Sequence, residues 1–254
     1  EAHLMALSAS YNYYTTRDTI LARAFRIIGA ISQGETPAAA AVTEAAITLN
    51  EIMKEWQADG LQLWKTSTLT LTGAVTGTTT TIGSSGAHVT APAPLQVLQV
   101  YYKNTDSGAD TPLIPITKQE YERLTPKATT GTPTQWYYKP PGAIDSAVAS
   151  GNNTGTIYWF PPPSTAWLAD NTFYAVVVNQ LMDFDSSSDQ PDIPNYLINA
   201  LVWALADQLC YEYGVGLSER SMISKKAMMH KAIGMSFDQE QGSLYFFPEY
   251  HGEE

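Results

Sequence analysis

Ile193-Pro194-Asn195-Tyr196-Leu197-Ile198-Asn199-Ala200-Leu201-Val202-Trp203-Ala204-Leu205-Ala206-Asp207-Gln208-Leu209 is the stretch that decides how this chain is assembled. Leu197, Leu201, Leu205 and Leu209 recur every fourth residue, as one face of a helix requires. A proline at the start of a helix removes no hydrogen bond, so Pro194 marks the beginning. Gly214-Val215-Gly216 marks the end. A further helix is expected from Ser218 as its cap, with Leu217 packing on Met222 as a hydrophobic staple. Met222, Met229 and Ile233 then share one side, and Gly234 closes the helix.

A helical pair needs a partner for its apolar face, and the N-terminal sequence offers one. Thr15 with Asp18 three residues on reads as a cap with an acid at the positive helix end. Ile20, Ala24, Ile27 and Ile31 form one face, widened by Leu21, Phe25 and Ile28. Gly29 interrupts the pattern and Gly34 is expected to end it. Thr36 is the expected cap of a second helix, with Pro37 at its first position and Val42, Ala45, Leu49, Ile52 and Trp56 inward. Gly60 closes it. The simplest assembly is a four-helix bundle formed by N- and C-terminal helical hairpins, residues 15–62 and 193–235. Residues 1–14 are an N-terminal arm in which Met5 reads as the natural start and Glu1 to Leu4 as a remnant.

Between the hairpins the composition changes. Thr66 to Thr72 alternates Thr and Ser with Leu, as a half-exposed strand does. Strands are also expected at Thr78 to Ile82, Thr134 to Tyr138, Thr156 to Phe160 and Phe173 to Leu181. Another covers Leu95 to Tyr102, with Leu95, Val97, Gln99 and Tyr101 on one face. Clusters of Pro, Gly and Asn separate them, and Lys118 to Leu124 fits one helical turn. Residues 63–192 are therefore expected to be an inserted antiparallel β-sandwich or barrel-like region. The fold class is α+β.

Composition narrows the function. The chain has 254 residues, and charged residues are 15% of it against roughly 25% in an average protein. A net charge of −11 argues against gripping nucleic acid through its phosphates, which needs a Lys/Arg surface. A single cysteine, Cys210, excludes an internal disulfide framework and a Cys-based zinc site. No run of about 18 apolar residues exists, so no transmembrane helix is expected. No basic segment followed by an apolar one opens the chain, so no secretory signal is expected either.

Little in the sequence points to catalysis. His3, His88, His230 and His251 lie too far apart for a metal motif. Asp183, Asp185, Asp189 and Asp192 make an acidic linker. It weakly resembles a calcium loop, but Ser188 stands where the glycine is required and Pro194 where the glutamate is required. Walker A, Gly-x-Ser-x-Gly and dinucleotide glycine patterns are missing, so no catalytic, cofactor or metal residue is assigned. Trp136-Tyr137-Tyr138 and Tyr158-Trp159-Phe160 read as sandwich core or inter-subunit contacts, with a sugar groove as the alternative. Residues 236–254 carry five acids, no Lys or Arg, and Phe237, Leu244, Tyr245, Phe246, Phe247 and Tyr250. A solvating tail lacks aromatics, so this C-terminal tail is expected to order on a partner; folding back on its own bundle is the alternative.

Taken in order, a set of short motifs resembles the head-to-tail adaptor proteins of tailed phages, particularly short-tailed ones. They are also known as neck, tail accessory, head completion or packaged-DNA stabilisation proteins. The set begins with Thr16-Arg17-Asp18, Arg26-Ile27-Ile28-Gly29 and Gly34-Glu35-Thr36-Pro37. It continues with Leu49-Asn50-Glu51-Ile52-Met53 and Trp56-Gln57-Ala58-Asp59-Gly60. In the β region it includes Thr117-Lys118-Gln119-Glu120-Tyr121, Gly131-Thr132-Pro133-Thr134, Tyr137-Tyr138 and Gly155-Thr156-Ile157-Tyr158-Trp159-Phe160-Pro161. Ile193-Pro194 and Glu212-Tyr213-Gly214 complete it. The resemblance spans residues 15–235; the Thr/Gly-rich stretch at 73–91, the loop at 143–153 and the tail depart from it.

The resemblance implies a structural virion protein without catalysis or cofactor. It implies a ring of about twelve copies, a homo-dodecamer closed by heterologous contacts. The ring docks under the portal protein, extends the DNA channel and offers a platform to the tail nozzle or hub protein. Double-stranded DNA passes through without specific binding and no membrane is engaged. The implied location is the neck of the virion, and the host cytoplasm during assembly. An acidic surface fits a conduit, because repulsion keeps the duplex centred. The alternative is a neck or tail component that binds cell-wall glycan or hydrolyses peptidoglycan.

Overall fold

The computed structural model describes residues 13–60, 63–71, 77–84, 87–142 and 154–237. In chain order the elements are α1 (Arg17–Ile27), α2 (Ala39–Ala58), a single 3₁₀ turn, β1 (Thr66–Leu71), β2 (Thr79–Gly83), β3 (Val89–Thr90) and β4 (Gln96–Asn104). Then come β5 (Asp110–Pro112), β6 (Ile114–Pro115), α3 (Lys118–Arg123), β7 (Gln135–Lys139) and β8 (Gly155–Phe160). The last are α4 (Thr165–Asp170), β9 (Asn171–Val178), α5 (Asn195–Glu212) and α6 (Leu217–Phe237). The fold is α+β. It divides into two compact units, one from Glu1–Leu63 with Asp183–Glu254 and one from Trp64–Met182. Residues 183–192, given to the β region by composition, belong to the helical unit: Phe184 is buried there and held by Asn50 of α2.

In the helical unit α5 packs against α1, α2 and α6. Leu197, Leu201, Leu205 and Leu209 are all buried. Each fully buried leucine stabilises the fold by about 1.5–3 kcal/mol relative to exposure. The helix ends differ from expectation in five places. The cap of α1 is Thr16, not Thr15; its hydroxyl accepts from the Thr19 N–H at 3.4 Å. α1 stops at Ile27 because Gly29 takes a left-handed φ of +72°. Neither Thr36 nor Pro37 begins α2: the backbone stays extended through Ala38 (φ −62°, ψ 142°), and Glu35 instead closes the preceding turn on the Ser32 N–H at 2.7 Å. α6 begins at Leu217, so Ser218 is not its cap, and Leu217 and Met222 are 83% and 61% exposed. Five residues turn a helix by about 140°, which keeps these two side chains apart and leaves no staple.

α6 also passes through Gly234 instead of ending there. Gly234 is buried, and a Cβ on it would run into the Leu197 side chain of α5. The glycine is therefore a point of close helix approach rather than a stop.

The β unit has two sheets. The first has the order β1-β9-β4-β5 and is antiparallel throughout. The second has the order β3-β2-β8-β7-β6; its centre is antiparallel, but β3 on β2 and β6 on β7 are parallel. The expectation of a purely antiparallel region is corrected at these two short edges. Side chains help to hold one of them: the Thr81 N–H donates to His88 Nδ1 at 3.1 Å, and the His88 N–H donates to Thr81 Oγ1 at 3.0 Å.

Both sheets contribute to one core, in which Trp159 of β8 stacks on Phe173 of β9 with ring centroids 4.3 Å apart. The expected alternation along β4 is broken at Leu98, where the register against β9 shifts between Val97 and Gln99. The bulge moves the buried positions to Val97 and Val100 and leaves Leu98 and Gln99 exposed.

Candidate functional site

The acidic segment is tied into the helical unit. Asp183 Oδ1 lies 2.6 Å from Lys54 Nζ of α2. Asp189 Oδ2 accepts from the backbone N–H groups of Asp185 at 2.8 Å and Ser186 at 2.6 Å. The Arg17 N–H donates to the Asp189 carbonyl at 2.8 Å, which fastens the segment to the start of α1. Asp183 and Asp189 thus serve different partners and do not converge as a calcium loop requires. Asp185 is exposed and Asp192 half-buried. Among the described residues, no three His, Cys, Asp or Glu side chains gather as a metal set.

The aromatic strands divide by face. Trp136 and Trp159 are buried, donating their indole N–H groups to the Leu113 carbonyl at 3.3 Å and to Thr80 Oγ1 at 2.9 Å. They are core, not a groove lining. Tyr138 donates its hydroxyl to the Pro94 carbonyl at 2.5 Å, and burial pushes its pKa up, which keeps the proton in place. Its ring fills the space where a Cβ on Gly155 would go. Tyr137, Tyr158 and Phe160 lie on the faces opposite the two tryptophans and are half-exposed, and Tyr137 and Tyr158 cluster with Tyr121 of α3, ring centroids 5.3–6.3 Å apart. Lys127 Nζ sits 4.8 Å over the Tyr121 ring.

The unusual surface is on α6. This helix buries Ile223, Ala227 and Gly234 against the rest of the unit but exposes Met222, Met228, Met229, Ile233, Met235 and Phe237. Met222, Met229 and Ile233 share a side, and it faces out, at 50–61% exposure. α5 supplies a complete apolar face of its own, and the small residues Ala227 and Gly234 let α6 lie close on it. The remaining large side chains are left on the flanks.

At the N-terminal end of α6 the exposed side chains border a cleft of about 360 Å³, lined by Met222, Ile223, Lys226, Glu219, Trp203 of α5 and the Arg26–Gly29 end of α1. Trp203 has two neighbours on α6: Lys226 Nζ is 4.7 Å from its ring centroid and the His230 ring is 6.0 Å away. Asn199 links this group inward, within 3.2 Å of the His230 ring and accepting from Arg23 at 3.5 Å. Half of the 14 Lys and Arg residues lie in α1 and α6. That concentration was the available signal for this cleft, and the apolar periodicities did not show it.

Of the expected partner-binding residues, Phe237 is the last of α6, 70% exposed, its ring 5.5 Å from that of Tyr196. Leu244, Tyr245, Phe246, Phe247 and Tyr250 lie outside the described residues, as do His3, His251 and Glu1 to Leu4. Cys210 is buried on α5, and burial raises its thiol pKa, which suits packing rather than reactivity. Among the described residues, no helix is long and apolar enough to cross a membrane. No protein-family model matches the chain, and no curated protein matches it in sequence.

Proposed function

We propose that this chain is a structural virion protein of the head-to-tail adaptor kind, a ring-forming subunit that docks under a portal, extends the DNA channel and seats the tail. In this reading α1, α2, α5 and α6 act as a four-helix bundle formed by two hairpins, the two-sheet unit is a sandwich-like insertion, and the C-terminal tail reaches a partner. The carrying observation is the ordered set of motifs that resembles the adaptor family, together with the kind of position those motifs occupy.

Several of them fall on fold punctuation, and the rest lie inside α2, β7 and β8. Thr16 caps α1, and Gly29, Gly34 and Gly60 hold left-handed φ values of +72°, +89° and +84°. Thr117 and Glu120 form a reciprocal capping box at α3, and the Thr117 hydrogen bonds hold the Glu120 carboxyl below the usual glutamate range. Pro194 is the N-cap of α5. Residues of this kind fix where elements begin and end, so a match at them speaks for a shared fold.

Two further features support the reading. A net charge of −11 keeps a passing duplex from sticking to the wall. A helix that leaves Met222, Met229, Ile233 and Phe237 exposed in the single chain has surface to bury on assembly.

Electron microscopy of the purified chain mixed with the portal from the same virus tests this. The expected result is a ring stacked coaxially on the portal. No complex at concentrations where the chain is folded overturns the proposal.

A further inference from the structure

We propose that β1 is an interface: it pairs with β1 of a second copy of this chain, antiparallel and across a two-fold axis, so that two sheets become one. β1 is the outer strand of the first sheet, and among the described residues no strand pairs with its far side. The ladder shows which backbone groups are left there. The Asn179 N–H donates to the Lys65 carbonyl at 3.0 Å, and this pair continues the register that sets Thr66 opposite Val178. Hydrogen-bonded pairs alternate along an antiparallel ladder. Ser67, Leu69 and Leu71 therefore turn their N–H and C=O groups toward β9, and Thr68 and Thr70 turn theirs away from it. The far side of β9 agrees: the Val178 carbonyl accepts from the Leu95 N–H at 2.9 Å, on the side of β4. Thr68 and Thr70 are exposed in the 254-residue chain.

The sheet edges differ in protection. A free edge invites pairing, and proteins blunt it with short strands, proline and charge. β5 has three residues, among them Asp110 and Pro112. β6 has two, one of them Pro115, and β3 has two. β1 has six, Thr-Ser-Thr-Leu-Thr-Leu, with neither proline nor charge. The same comparison selects the occupant. In a second copy, β3, β5 and β6 are too short or too blunted to serve, which leaves β1 itself. Charge permits the approach: residues 64–182 hold six Lys and Arg against six Asp and Glu, so the net −11 lies wholly in the rest of the chain. The side chains select the register. Thr68 stands opposite Thr70 of the second copy and Thr70 opposite its Thr68, each pair exchanging two N–H···O bonds. Leu69 then meets Leu69 of the second copy on the axis. Leu69 is half-buried, packs against the core of the β unit and lines a recess of about 320 Å³ with Ser67, Pro92 and Ala93. The pairing covers both leucines. A slip of one residue would set Thr68 against a residue whose backbone groups point to β9, and the new ladder would be lost. This inference concerns the free chain and stands whether or not the adaptor reading holds.

Sedimentation of the full chain, with a pair of cysteine variants, tests it. The expected result is a reversible dimer at micromolar concentration. Thr68→Lys combined with Thr70→Lys sets lysines opposite one another and should leave a monomer, with the circular dichroism unchanged. In the ladder, the Cα atoms of Thr68 and of Thr70 in the other copy are about 5.5 Å apart, within reach of a disulfide. Two copies of Thr68, or two of Thr70, are diagonal neighbours about 7–8 Å apart. Under mild oxidation by diamide, a mixture of Thr68→Cys and Thr70→Cys chains should therefore cross-link many-fold faster than either variant alone. Cys210 is buried and common to all of them. A chain that stays monomeric overturns the proposal and leaves the edge to a strand of another protein. A dimer that survives the two lysines also overturns it. So does a dimer in which the mixture cross-links no faster than Thr68→Cys or Thr70→Cys alone.

Discussion

α5 and α6 are neighbours of similar length, 18 and 21 residues, that handle apolar side chains in opposite ways. α5 buries nine residues and meets three other helices. α6 buries three, two of them Ala227 and Gly234, and carries its methionines, Ile233 and Phe237 at the surface. Helical periodicity alone does not separate the two cases. What separates them is the size of the residues at the contact. Large residues along α5 fill the interior of the helical unit, while small residues on α6 bring its backbone close and push its large ones to the flanks.

That contrast can be broken at three points. The largest effect is expected at Leu201, fully buried on α5: Leu201→Ala should cost about 3 kcal/mol in urea unfolding, from lost burial and the cavity left behind. A cost under about 1 kcal/mol would mean that α5 is not the centre of the unit. An intermediate effect is expected at Gly234. Replacing a helical glycine by alanine ordinarily stabilises by about 1 kcal/mol. Here the new Cβ meets Leu197, which is itself buried, so Gly234→Ala should instead destabilise by about 1 kcal/mol. Thermal unfolding that shifts upward would show that α6 does not lie against α5 at this point. The smallest effect is expected at Lys231, whose Nζ is 2.6 Å from Asp59 Oδ2 beyond the end of α2. Lys231→Ala should cost about 0.5 kcal/mol at low salt and less at high salt, as a solvent-screened pair does. A large, salt-insensitive loss would give α6 a second anchor on the N-terminal hairpin.

Much of the fold is legible in the sequence where one physical effect dominates. The leucine repeat of α5, the glycine ends at Gly60 and Gly214, and the Thr/Leu alternation of β1 are of this kind. What is not legible depends on partners distant in sequence. The pairs β3 with β2 and β6 with β7 involve only two residues each, and His88 gives no sign of bonding Thr81 until both are placed. The bulge at Leu98 reverses the face that simple alternation assigns to Gln99. Gly29 and Gly234 look alike in a periodic pattern, yet one ends a helix with a positive φ and the other lets two helices touch.

The candidate site is legible in the sequence only in part. Phe237 is exposed at the end of α6. The acids at 183 and 189 form links within the helical unit, because a lysine and two backbone N–H groups stand within reach of them. The Trp203 cleft is not legible in the sequence because its cations come from α1 and α6, which are about 200 residues apart in the chain.

Gene order also has a temporal consequence. α2 ends at Ala58 and α5 begins at Asn195, so the ribosome adds roughly 135 residues between them, which takes about 7–27 s at 5–20 residues per second. The β unit is continuous from Trp64 to Met182 and can close as soon as β9 emerges. α1 and α2 must meanwhile hold Phe25, Leu49 and Trp56 without the helix that will cover them. Translation therefore completes the inserted unit before α5, the helix that covers α1 and α2.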